Sequence, residues 1–325
     1  MRVFFNEDWT HFWYTRYESG EPVNEETLKT FIRQYEGTGI TDFALNVNGA
    51  ISSSESKVLE TWSDKYEKKE ENGVPVDYTN THAKLHYEVF RKKKLDAYRI
   101  WIEQLKETGI RPWLSFRMND CHNDLEKAHV VKAAYKEQHP EQWICKNRPA
   151  IGYFDRCLNY LLPEVRERML TYIEEQLSRY DVDGIELDFT REPFCFPAGG
   201  QEEGRLVMTE FAGQVRKLVD SCAAARAKKI EIALLCQANP ISAYNNGFDV
   251  ATIAAKGYVD VVIASPRWAT INLDIPIAIW KSMLGNKVQV GCMQQLLVSG
   301  YPFSKINLAS TIDMAFGQAA AFAGR

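Results

Sequence analysis

No stretch of this 325-residue sequence stays apolar long enough to cross a membrane. The apolar start, VFF at residues 3–5, is also far too short for a secretory leader. A soluble, cytoplasmic protein with no membrane partner is the expectation. An excess of one charge is missing too. A net charge of -4 offers no basic face for nucleic acid, so no nucleic-acid partner is expected. The seven cysteines (Cys121, Cys145, Cys157, Cys195, Cys222, Cys236 and Cys292) are odd in number, and none has CxxC spacing. Free thiols in a reducing compartment are the simplest account. The histidines do not cluster with them, which argues against a zinc site. No glycine-rich phosphate loop follows the first apolar run, which disfavours a dinucleotide-binding open sheet. No cofactor is expected.

What is present is an ordinary globular composition, 45% hydrophobic and 25% charged. Aromatic content is 12%, with eight Trp. Trp and Tyr line many sugar sites, although most pack in cores. The organising stretch is residues 180–193, YDVDGIELDFTREP. It predicts a strand over residues 184–190, preceded by a helix that starts at Pro163 and followed by a loop. Side chains alternate across a strand, so Glu186 and Asp188 share one face and Ile185, Leu187 and Phe189 the other. Acidic side chains rarely sit in an apolar strand unless something uses or pairs them.

The same pattern recurs along the chain. Strands are predicted over residues 2–8, 42–48, 111–118, 184–190, 230–237, 259–265 and 288–293. Helices are predicted over 25–35, 89–108, 124–137, from Pro163, and over 204–227, 250–255, 275–284 and 308–322. Residues 49–85 read as long, polar and irregular, an insertion over the mouth of a site, and a second insertion spans about 119–160. Alternation of strands and helices implies parallel strands joined by right-handed crossovers. Polar residues gather after the strands rather than before them, which fits a (β/α)8 barrel. The count stops at seven strands, so the expectation is one domain over residues 1–325, truncated before its eighth strand.

The strand ends supply the candidate site. Asn6 and Asp8 follow the first strand, and Asn48 ends the second. Arg117, Asn119, Asp120 and His122 close the third. Glu186, Asp188, Arg191 and Glu192 belong to the fourth, Gln237 to the fifth, Arg267 and Trp268 to the sixth, and Gln294 to the seventh. Glycoside hydrolysis needs a pair of carboxyl groups, one to protonate the leaving oxygen and one to attack or activate water. Crowding raises one pKa of such a pair and keeps the other group ionised. Glu186 and Asp188 have that arrangement, but they equally fit an ion-paired network with Arg117 or Arg191. Asp120 is either an acid or a helix cap, and His122 either binds a hydroxyl or is a satisfied loop histidine. Arg267 and Trp268 together suit a carboxylate and a ring face.

VDGIELDFTRE at residues 182–192 resembles the fourth-strand motif of several barrel glycoside hydrolases. It also resembles the uncharacterised glycosyl hydrolase-like families related to them. PEVRERMLTYIEEQLSRYDVDGIELDFTR at residues 163–191 and FRMND at residues 116–120 fit the same picture. The resemblance implies a (β/α)8 barrel that hydrolyses glycosidic bonds of a carbohydrate. The motif is also similar to the DGxDxDxE pattern of family 18 chitinases, with Asp183, Glu186 and Asp188 at its first three acids. Its proton-donating Glu falls on Thr190, which cannot serve. In barrel enzymes whose fourth-strand Asp is the nucleophile, the match is Asp188. Those often carry the acid on the sixth strand, where ASPRW at residues 264–268 offers no carboxylate. The expected catalytic residues are Asp188, Glu186 and Asp120, with the other strand-end residues binding substrate. Two alternatives stay open. One is a carbohydrate-binding pseudoenzyme on the same barrel. The other is a metal-dependent lyase or isomerase with Asp188, Glu186, Asp120 and His122 as ligands.

Overall fold

The computed structural model describes residues 2–8, 10–124, 126–145, 154–266 and 275–293. Strand β1 (Phe4–Glu7) leads into α1 (His11–Ser19) and α2 (Glu25–Arg33), then β2 (Asp42–Asn48). Helix α3 (Ala97–Glu107) precedes β3 (Arg111–Arg117), and α4 (Pro163–Arg179) precedes β4 (Gly184–Asp188). They are followed by α5 (Gln201–Ala225), β5 (Glu231–Gln237), α6 (Val250–Ala255), β6 (Val261–Ser265), α7 (Ile277–Leu284) and β7 (Gln289–Cys292). The seven strands form one sheet in sequence order. Every neighbouring pair is parallel. An order that never reverses is the winding of a (β/α)8 barrel and not of an open, doubly wound sheet.

The two faces of the sheet differ as a barrel requires. Phe43, Leu45, Leu114, Phe116, Ile185, Leu187, Ile232 and Leu234 belong to the large core shared with the helices. The alternate residues Ala44, Trp113, Ala233, Leu235, Val261 and Ile263 form a separate small cluster that fills the interior. Helix α4 illustrates the outer layer. Pro163 sits at its start, where a missing N–H costs nothing, and Glu164 lies in the first turn. Val165, Met169, Tyr172, Ile173, Gln176 and Leu177 are its buried side.

The floor of the barrel, at the strand starts, is an ionic plug. Trp113 donates its indole N–H to Asp42 (2.9 Å), which is fully buried. Arg2 and Arg111 reach the same carboxylate at 2.6 and 3.1 Å, and Arg111 also pairs with Glu231 at 2.6 Å. Both guanidinium carbons lie over the Trp113 ring, 5.5 and 5.6 Å from its centroid. Gly184 leaves room for that ring, since a Cβ there would stand 2.3 Å from it. Among the described residues no backbone ladder joins β1 to β7. Arg2 spans the interval by donating to Gln289 Oε1 at 3.0 Å. The expected helix over 308–322 and any eighth strand lie outside the described residues.

Several local expectations are revised. Helix α1 was not expected. Residues 49–85 are not irregular throughout: they hold two short helices, Trp62–Glu67 and His82–Tyr87, and a hairpin of Glu70–Glu71 with Val74–Pro75. This segment packs on the helical layer, with Ser52 Oγ 2.8 Å from the Tyr172 hydroxyl. The helix expected over 89–108 breaks at residues 93–96, where Lys94 has a positive φ and Asp96 caps α3. Of 124–137 only a turn over Ala134–Gln138 is helical. There the loop folds around buried ammonium groups instead, with Lys136 Nζ 2.7 Å from Asp124. None of the seven cysteines is in a disulfide. Among the described residues no helix is long and apolar enough to cross a membrane.

Candidate functional site

The C-terminal ends of β1 to β5 gather the polar residues into a mouth. Glu186, on the inner face of β4, is buried. Its Oε1 accepts from Ser115 Oγ (2.8 Å) on β3 and from Asn6 Nδ2 (2.5 Å) on β1. Register places Ser115 beside Glu186 and Arg117 beside Asp188. Burial and the Asp188 charge together push the Glu186 carboxyl up to about 8, against the opposing pull of its two hydrogen bonds. Asp188, one layer higher, is partly exposed. Its Oδ1 accepts from Thr190 N (2.8 Å), Thr190 Oγ1 (2.8 Å) and Arg191 N (3.2 Å). Three converging donors fix its orientation at the point where the strand opens into its loop.

Arg117 is the hub of the neighbouring wall. It is buried, its guanidinium pairs with Asp8, and its Nη1 lies 3.3 Å from Asp120 Oδ2. Its carbonyl accepts from Asn48 Nδ2 at 2.8 Å. Burial opposes the Arg117 charge, but Asp8 and Asp120 outweigh it and hold the group well above its ordinary value. Burial pushes Asp8 up, yet Arg117 and Thr10 outweigh this and bring its carboxyl down to about 2. Asp120 behaves alike: burial raises it, while His122 and Arg117 pull it far below the usual carboxylate range. Glu192 goes the other way, since burial and the nearby Asp120 charge push it well above its usual value. Each of the two closely set pairs, Glu186 with Asp188 and Glu192 with Asp120, therefore contains a carboxyl that resists ionisation.

Asp120, His122 and Glu192 each bring one ligand-type atom within 4.8 Å of the others. The donor set does not suit a cation. His122 Nδ1 faces both Asp120 oxygens at 2.8 Å, and its Nε2 meets Arg191 Nη2 at 2.5 Å. With Arg117 on Asp120 as well, two guanidinium groups stand where a metal would need open lone pairs. These contacts occupy Asp120 and His122, two of the four ligands of the metal-dependent alternative.

Asn6, Asp8, Asn48, Arg117, Asp120, His122, Glu186, Asp188, Arg191 and Glu192 thus lie in one contiguous set of contacts. Gln237 ends β5, and neither atom of its amide has a partner among the described residues. Asn119 stands apart: its amide is committed to backbone, accepting from Leu158 N (2.7 Å) and donating to Leu158 O (2.9 Å) and Phe194 O (3.0 Å). That makes it a clamp between loops and leaves it no group for a substrate. Arg267, Trp268 and Gln294 lie outside the described residues. Ser115 was not among the expected site residues, although its alternation with Trp113 and Arg117 on β3 was the available signal. Thr190 was read only as a missing donor, whereas it holds Asp188. A cleft of about 510 Å³ lies elsewhere, on the outer side between α5 and the turn before β6, with Arg216, Lys217 and Tyr258 in its wall.

No family model matches the sequence, and no curated protein matches it. Solved structures do resemble it in shape. The GH36 α-galactosidase AgaA from Geobacillus stearothermophilus is 14% identical, with a TM-score of 0.41 over 98% of this chain and 42% of its own. The GH20 exo β-N-acetylglucosaminidase from Vibrio harveyi is 14% identical, with a TM-score of 0.41 over 78% of this chain and 40% of its own. The α-L-fucosidase isoenzyme 1 from Paenibacillus thiaminolyticus is 13% identical, with a TM-score of 0.40 over 98% of this chain and 72% of its own. The chain thus spans less than half the length of the first two. Likeness at this level names no family and assigns no residue.

Proposed function

We propose that this protein is a glycoside hydrolase acting on a carbohydrate, with residues 1–325 as one catalytic domain. The observation that carries the reading is the carboxyl pair on β4. Glu186 is buried and keeps its proton up to about pH 8, as a proton donor to a leaving oxygen must near neutrality. Asp188 sits one step along the same face, beside the mouth, oriented by three donors on one oxygen. In this reading Glu186 protonates the leaving group, and Asp188 attacks the sugar or activates water. Asp120 serves the site indirectly, through His122 and Arg117. Asn6 orients Glu186. Asp8, Asn48 and Gln237, with Arg267, Trp268 and Gln294, provide the remaining polar and aromatic groups for substrate.

The test is hydrolysis of a panel of aryl glycosides and polysaccharides by the wild type and by Asp188→Asn. The variant is expected to lose about 10³-fold in kcat/KM with its fold unchanged by circular dichroism. Activity of the wild type should fall as pH rises through about 8, because a donor with a raised pKa works only while protonated. Undiminished turnover by Asp188→Asn would falsify the assignment. Sugar binding without turnover in the wild type would replace it with the pseudoenzyme reading.

A further inference from the structure

We infer that Asp120 and His122 form a positioning pair for Arg191, holding its guanidinium in one place at the mouth and available to the substrate. This deepens the hydrolase reading and rests on it for the role of Arg191, though not for the contact itself. The geometry admits one hydrogen-bonding pattern. An ionised carboxylate only accepts, so the His122 nitrogen facing both Asp120 oxygens at 2.8 Å, Nδ1, carries the proton. Nε2 is then a bare acceptor, and a guanidinium, which only donates, meets it at 2.5 Å. The opposite tautomer would set two donors against each other.

Asp120 is itself immobilised. It is buried, it accepts from the His122 backbone N–H at 3.0 Å, and Arg117 Nη1 stands 3.3 Å away. Arg191 is thus anchored at two points: its backbone N–H lies on Asp188 Oδ1, and its guanidinium on His122. A competing carboxylate stands close by, with Glu192 Oε1 3.8 Å from Arg191 Nε. Arg is long and flexible, and without a fixed acceptor its cation would fall onto the nearest carboxylate. His122 supplies a neutral acceptor that holds the cation without cancelling its charge. No separate proton-transfer step is assigned to His122.

The experiment compares His122→Ala, His122→Gln, Arg191→Ala and the double variant His122→Ala/Arg191→Ala in the full chain. Each is assayed on the best aryl glycoside of the panel, alongside ¹⁵N NMR of the histidine rings. His122→Ala is expected to lower kcat/KM by about 10²-fold, mainly through KM. His122→Gln should recover about tenfold, because its amide oxygen can accept from Arg191. The double variant should be no worse than Arg191→Ala alone. In the wild type His122 should show the Nδ1–H tautomer, and Asp120→Asn should disturb it. Additive losses, or His122 in the Nε2–H tautomer, would overturn the inference. Failure of the hydrolase reading is separate. It would show as full activity in Asp188→Asn or as no turnover of any substrate, and the tautomer still decides the positioning pair in that event.

Discussion

The two ends of the barrel handle buried charge in opposite ways. At the floor Asp42 is enclosed, yet it meets two arginines and an indole N–H, and Glu231 is paired by Arg111 and Lys229. At the mouth Glu186 accepts from two neutral donors, no cation pairs with it among the described residues, and a second acid lies one step along the strand. The floor is built to keep charges charged. The mouth holds the Glu186 and Glu192 carboxyls against ionisation and, among the described residues, leaves the Gln237 amide and the side-chain oxygens of Asn46 and Asn48 without partners. Unspent hydrogen-bonding capacity of that kind costs stability and is what a polar substrate can use.

The comparison can be broken most severely at the floor. Asp42→Ala should lower stability by on the order of 3 kcal/mol in denaturant titrations, because it leaves the buried Trp113 indole N–H without its acceptor and the partly exposed Arg2 and Arg111 to share Glu231. The mouth answers in the opposite sense. The folded state raises the pKa of Glu186, so it binds the proton more tightly than the unfolded chain does. Stability therefore declines as pH rises from the ordinary Glu value through about 8. Glu186→Gln should abolish this decline and gain on the order of 3 kcal/mol at pH 9 over the wild type, while losing activity. A pH-independent difference between the two would show that Glu186 does not titrate as stated. Gly184→Ala tests the steric side of the floor. A Cβ placed 2.3 Å from the Trp113 ring should cost about 1–3 kcal/mol, read as a lower denaturation midpoint with unchanged slope. Gln237→Ala is the smallest change. No hydrogen bond to a described residue is lost, so stability should stay within about 0.5 kcal/mol. KM should nonetheless rise if the amide meets a sugar hydroxyl.

Much of this was legible in the sequence where one element carried a clean period. The alternation in GIELD placed Glu186 inward, and the four-residue spacing after Pro163 gave α4. Helix α1 escaped notice because its buried side chains, Phe12 and Trp13, are adjacent and form no stripe. The helix Trp62–Glu67 carries a readable local signal. Thr61 and Asp64 make a reciprocal cap, each side chain accepting from the other's backbone N–H. Other features had no local signature. That His122 meets Arg191, 69 positions later, depends on how two strand ends are brought together. The role of Asn119 also depends on residues far along the chain, and a strand-end asparagine looks the same whether it serves a ligand or a loop.

The Asn119 clamp bears on how the mouth can be remodelled. One amide joins the end of β3 to Leu158, just before α4, and to Phe194, in the loop after β4. The segment between β3 and α4 is therefore not an independent appendage. Its closing residues and the loop that follows Asp188 share a single set of hydrogen bonds, so they should open together in hydrogen exchange. A transplant of residues 119–160 from a related barrel would have to carry the loop around Phe194 with it. For recombination the two loops behave as one module.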